Sequence, residues 1–168
     1  MAIETLPKER YLFGLIQRND HQELRKAILQ EDGTLKQGVE NLTYKRWRQK
    51  EEPLLGRLLF EACDDGRLEC ACILADCCEE TAINQLYVHR IEWSYTPYPL
   101  TCTPLHIACR HGNIDIAKHL VKCKAKVDKT DWNGDLPVHR AAWNGRLEVI
   151  KYLLDLQSDT ISVKNNVS

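Results

Sequence analysis

Five of the eight cysteines, Cys63, Cys70, Cys72, Cys77 and Cys78, fall within 16 residues, and His89 or His106 would complete a four-donor set for a metal ion. Structural zinc sites use two Cys-x(2–4)-Cys knuckles, whose spacing lets two thiolates reach one ion. Here there is one Cys-x-Cys and one Cys-Cys, and a helix would aim their sulfurs at opposite faces. A zinc or redox sensor built on this cluster is therefore the alternative and not the main reading, and no metal ligand is assigned. Cys109 and His111 stand close, but no orienting group or oxyanion donor accompanies them. Asp64 and Asp65 are adjacent acids, whereas acid–base catalysis places its carboxylates across a substrate. No GxxxxGK[ST] phosphate loop occurs. The expectation is a chain with no catalytic residue and no cofactor.

The elements that carry these residues repeat. Thr103-Pro104-Leu105-His106-Ile107-Ala108-Cys109 is followed by Gly112, Ile114, Ile116, Leu120 and Val121. Leu136-Pro137-Val138-His139-Arg140-Ala141-Ala142 is followed by Gly145, Leu147, Val149, Leu153 and Leu154. Ala108 and Ala141 are 33 residues apart. Each unit reads as a helix, a Gly turn and a second helix with apolar residues at helical spacing. An earlier copy runs Leu58-Leu59-Phe60-Glu61-Ala62-Cys63, then Gly66, Leu68, Cys70 and Leu74, 46 residues before the third unit. A weaker copy has Leu12, Ile16, Leu24 and Ile28; a further offset of 46 pairs Ile16 with Ala62 and Asp20 with Gly66. A terminal unit has a neighbour on one side only, so its pattern decays.

The 33-residue period with Thr-Pro-Leu-His-x-Ala resembles the ankyrin repeat. The resemblance implies an all-α solenoid of helix–turn–helix units with β-hairpin or extended fingers, and a protein-binding module without chemistry of its own. Four repeats are expected, at approximately 8–40, 54–86, 101–133 and 134–166, in one domain over 1–168. The first two units lack Thr-Pro-Leu-His. In the fourth, Leu136 replaces Thr, which removes a hydroxyl that would brace His139. Segment 158–168 parallels 124–134 as the first arm of another finger, so the chain is expected to be the N-terminal part of a longer protein.

Aligning the repeats assigns most cysteines to packing. Cys63 and Cys109 are equivalent, as are Cys77 and Cys123, and Cys70 takes the place of Ile116 and Val149. Free cysteine behaves there as a small hydrophobe. Cys72, Cys78 and Cys102 are left as candidates for exposure.

In a solenoid the first helices and fingers offer a preformed recognition face. The expected contact residues are Asp64 and Asp65 in the second unit, Arg110 and His111 in the third, and Trp143 and Asn144 in the fourth, with Trp132, Asn133 and Asp135 from the fourth finger. Tryptophan and arginine contribute disproportionately to binding energy. The two 46-residue intervals exceed the period by 13, which predicts two elongated fingers. The first contains Lys45-Arg46-Trp47-Arg48-Gln49-Lys50, and the second contains Trp93, Tyr95 and Tyr98. Trp47, Trp93 and Tyr95 join the candidate contact set. Lys45–Lys50 also suits a nucleic acid, through phosphate contacts and base stacking on Trp47, which is a second alternative.

Composition agrees with a globular module. The 168 residues are 43 % hydrophobic with a net charge of −1, so no general attraction to nucleic acid follows. No apolar run is long enough to span a bilayer. The first ten residues show no apolar stretch of signal-peptide type, which places the expected compartment in the reducing cytoplasm or nucleus. The expected role is an adaptor, scaffold or docking module in signalling that binds an extended peptide or loop of another protein.

Overall fold

The computed structural model describes residues 5–39, 42–44, 52–88 and 101–156. Four helix pairs follow one another: α1 (Thr5–Gln17) with α2 (His21–Ile28), α3 (Leu54–Asp64) with α4 (Leu68–Cys77), α6 (Pro104–His111) with α7 (Ile114–Lys122), and α8 (Pro137–Trp143) with α9 (Leu147–Leu156). A one-turn helix, α5 (Glu80–Ile83), follows the second pair. First helices pack in the order α1, α3, α6, α8, and second helices in the order α2, α4, α7, α9. The core is thus a series of layers, each shared by two neighbouring units. Its repeating members are small on the first helices, Ala62, Ala108 and Ala141, and branched on the second, Leu74, Leu120 and Leu153. Small residues let the first helices approach closely, and Leu side chains fill the wider space behind them.

Each unit turns through one left-handed residue. Gly66, Gly112 and Gly145 have φ of 68°, 82° and 67°, where a Cβ is strained. In the first unit that residue is Asn19, with φ 55°. The backbone N–H groups of Asn19 and Asp20 bond Ile16 O and Leu15 O, as those of Gly66 and Arg67 bond Cys63 O and Ala62 O. The pairing of Asp20 with Gly66 expected from the sequence is therefore off by one across the first helix and turn. Asn19 is the equivalent of Gly66, and Leu15 that of Ala62. Asparagine tolerates the left-handed region better than other non-glycine residues, which hid the turn from a search for glycine. Asp20 instead caps α2, its carboxylate accepting from Glu23 N–H at 3.0 Å.

Both long intervals open as antiparallel ladders. β1 (Thr43–Tyr44) pairs with β2 (Glu52–Pro53), and β3 (Tyr87–Val88) with β4 (Thr101–Cys102). The stems of two elongated fingers are thus present, while Lys45–Lys50, Trp47, Trp93, Tyr95 and segment 158–168 lie outside the described residues.

The stack is braced at the start of the first helix in the second, third and fourth units. In the third unit, Thr103 caps α6 and its Oγ1 lies 2.8 Å from His106 Nδ1. His106 Nδ1 also accepts from Thr103 N–H at 3.3 Å, and Nε2–H donates to Asp135 O of the next finger at 2.9 Å. In the fourth unit the loss of the Thr hydroxyl does not abolish the brace, because His139 Nδ1 still accepts the Leu136 N–H at 3.2 Å. The second unit solves the same problem with other residues. Buried Arg57, at the position of Thr103, donates to Val88 O at 2.7 Å, pairs with Glu61, and lies 5.2 Å from the Phe60 ring centre. Phe60 stands where His106 stands, and its ring packs on buried Tyr87. In both units a buried cation or ring N–H ties the helix start to a carbonyl of the following finger.

Candidate protein-binding surface

The fourth finger is organised by Asp131. Its Oδ1 accepts from the N–H groups of Asn133 and Asp135 at 2.9 and 3.0 Å, and its Oδ2 accepts from Arg140 Nε at 2.7 Å. Asp131 and Asp135 are buried, and Arg140 also reaches Asp135 Oδ2 at 3.3 Å. Two carboxylates away from water require such a partner, since desolvation disfavours the ionised form. Asp135 therefore does not belong to the exposed contact set in which the sequence placed it. It is 0 % exposed and serves the loop, with Asn133 Nδ2 donating to it at 3.1 Å. Asn133 likewise spends its side chain within the finger.

The same arginine reaches a surface tryptophan. The Arg140 guanidinium lies 5.2 Å from the Trp143 ring centre, so its charge meets the electron-rich face. Trp143 remains 60 % exposed, and Trp132, next in sequence to Asp131, is 41 % exposed. Trp132 N–H bonds Thr101 O at 3.0 Å, which ties the fourth finger to the stem of the long finger before it. Two tryptophans thus project from one scaffold, Trp132–Asp131–Arg140–Trp143. Asn144 is exposed at the end of α8 and donates to Arg140 O at 2.8 Å. The sequence reading missed Asp131 and Arg140. The i,i+3 spacing of Arg140 and Trp143 was the available signal.

The other expected pairs fall on the preceding first helices. His111 Nε2 lies 2.9 Å from Asp64 Oδ1, so a contact residue of the third unit is joined to one of the second. Asp65 is exposed, and Arg110 is half-buried with its carbonyl accepting from Arg146 Nε at 3.1 Å. Arg67 makes the corresponding bond to Gln17 O, which confirms the register of the first turn. The Asp64–His111 contact therefore links the first helices of the second and third units on this face.

None of the eight cysteines forms a disulfide. Cys63, Cys70 and Cys109 are buried, as repeat alignment predicts. Cys77 and Cys123 are half-buried. Cys102, expected at the surface, is buried because β4 lies beneath the fourth finger's turn, and burial pushes its thiol up to about 12. Cys78 is half-buried and is raised to about 12 by the same cause. Among the described residues, one group of His, Cys and acidic donors converges: Asp76, His119 and Cys123. No described helix is long and apolar enough to cross a membrane.

A model of ankyrin repeats in three copies matches residues 59–165. The human ankyrin repeat and SOCS box protein 3 is 31 % identical over 67 residues, which is 40 % of this chain and 13 % of that protein. The human ankyrin repeat and SOCS box protein 11 is 40 % identical over 57 residues, 34 % of this chain and 17 % of that protein. The matched region therefore spans a small part of these relatives. With its repeated turns, layered helix rows and finger stems, the chain belongs to the ankyrin repeat family.

Proposed function

We propose that this chain is a docking or adaptor module, without catalytic activity, that grips an extended segment or loop of a partner protein. Ankyrin repeats mediate protein–protein interaction, and the observation that carries the proposal here is the pair of exposed tryptophans braced by Asp131 and Arg140. Large rigid aromatics lose few rotors on binding, and Arg140, already fixed, adds no further ordering cost. Arg110, His111, Asp64, Asp65 and Asn144 form the polar part of the same face, with the two finger stems at its margin. Trp47, Trp93 and Tyr95, from the two intervals that exceed the period, complete the proposed contact set. The chain acts in the cytoplasm or nucleus, in a signalling assembly. The names of the two relatives join ankyrin repeats to a SOCS box, which fits an adaptor that presents a bound partner to a second module.

Peptides selected on the protein from a displayed random library test this reading. Trp132→Ala combined with Trp143→Ala is expected to weaken the selected peptides at least tenfold, about 1.4 kcal/mol, with helical circular dichroism unchanged. Equal affinity for the variant would overturn it.

A further inference from the structure

The second-helix row carries a constellation that the binding surface does not use. On α4, Cys72 and Asp76 are separated by four residues and so share one face. In the next layer His119 lies on α7 and Cys123 is its C-cap residue, again four apart. α4 and α7 pack directly against each other. His119 Nε2 lies 2.9 Å from Asp76 Oδ1, and Cys123 Sγ is 3.5 Å from the same oxygen. One donor atom from each of Asp76, His119 and Cys123 lies within 4.8 Å of the others. Cys72 stands one turn before Asp76 on the same helix and is the candidate fourth donor.

We propose that Cys72, Asp76, His119 and Cys123 form a zinc site that clamps the second repeat to the third. Zinc bonds are about 2.3 Å to sulfur and 2.0–2.2 Å to nitrogen or oxygen, so tetrahedral donors sit roughly 3.3–3.8 Å apart. The observed 2.9 and 3.5 Å separations need only rotamer-scale adjustment to admit an ion. Asp76, His119 and Cys123 already converge across the packed helices, and Cys72, one turn before Asp76, is the fourth donor the proposal recruits. Two thiolates and an imidazole select zinc over magnesium or calcium, which prefer all-oxygen sets. On binding, the two thiols release their protons to solvent and the ion binds the resulting sulfur anions. Asp76 is exposed and the other three are half-buried, which leaves a path for entry. The site differs from the Cys63–Cys78 cluster considered from sequence. Of that cluster it uses only Cys72, and it recruits the rest across a repeat boundary. A stack is held by its nearest-neighbour interfaces, so an ion bridging one of them stabilises the layers on both sides.

Cobalt(II) titration of the reduced full chain tests the proposal. One equivalent is expected to produce a sulfur-to-cobalt charge-transfer band with the intense visible bands of tetrahedral coordination, and zinc is expected to displace it. His119→Ala and Cys123→Ser should each weaken binding roughly a hundredfold. Cys72→Ser should halve the charge-transfer intensity, and Cys77→Ser, outside the set, should leave the titration unchanged. Zinc should raise the melting temperature of the wild type and of Cys77→Ser, but not of His119→Ala. Absence of a charge-transfer band, or an unaltered band in both His119→Ala and Cys123→Ser, would overturn the site. An unaltered band in Cys72→Ser would overturn the four-donor set.

Discussion

Replacing His106 by Ala tests how the third and fourth repeats are held together. The imidazole is buried, with Nδ1 accepting from Thr103 and Nε2–H donating to Asp135 O. Truncation leaves the Thr103 N–H without its acceptor, which costs about 2 kcal/mol in a buried site. It also deletes the bond to Asp135 O, worth about 1 kcal/mol because that carbonyl keeps the Asp131 N–H. The variant should therefore be about 3 kcal/mol less stable at pH 7.5. Burial, chiefly, lowers the His106 pKa from 6.5 to about 4, so the folded state holds this ring neutral. Its contribution is complete above pH 6.5 and is lost as pH falls toward 4, because the unfolded chain then binds the extra proton. At pH 5 the wild type should have lost about 2 kcal/mol through this group, a loss the Ala variant cannot show. Urea denaturation at both pH values measures the gap. His111, His119 and His139 remain in both proteins and cancel. A gap that narrows from about 3 to about 1 kcal/mol on acidification supports the bracket. An equal gap at both pH values would refute it.

Gly56→Ala should destabilise the protein by about 1–3 kcal/mol despite the better helix propensity of Ala, because the new Cβ overlaps the buried Tyr87 hydroxyl. The penalty should be smaller in a Tyr87→Phe background, which a double-mutant cycle in urea would read out. Asp20→Ala should cost about 1 kcal/mol through loss of the α2 cap, whereas Asn19→Gly should be neutral or stabilising. The opposite order in thermal melts would contradict the first-turn register. In alkylation followed by mass spectrometry at neutral pH without metal, Cys72 and Cys77 should label first. Cys63, Cys70, Cys102 and Cys109 should stay protected until the chain unfolds, because they are buried and their thiols are raised. Early labelling of Cys102 would contradict its place beneath the fourth finger.

The sequence by itself determined the repeat, its period, and the burial of Cys63, Cys70 and Cys109. These are local or periodic properties: a 3.6-residue pattern, a turn glycine and a proline at the first helical position are legible without knowing any neighbour. It also marked the two intervals that carry the antiparallel stems, since both exceed the period. Tertiary structure decided everything that depends on which chains of atoms meet across a layer. Asp135 looks like an exposed finger acid until Arg140 and Asn133 enclose it. Cys102 looks exposed until β4 lies under the next finger. Arg57 reads as one more surface cation, yet it occupies the place of Thr103 and reaches Val88 from the interior. The Asn19 turn escaped because a left-handed backbone can be met by a side chain other than glycine. Cys72, Asp76, His119 and Cys123 are two unremarkable i,i+4 pairs when read along the chain. Only the packing of α4 against α7 brings the donors of Asp76, His119 and Cys123 together, because stacking joins residues that are neighbours in space and 40 or more apart in sequence.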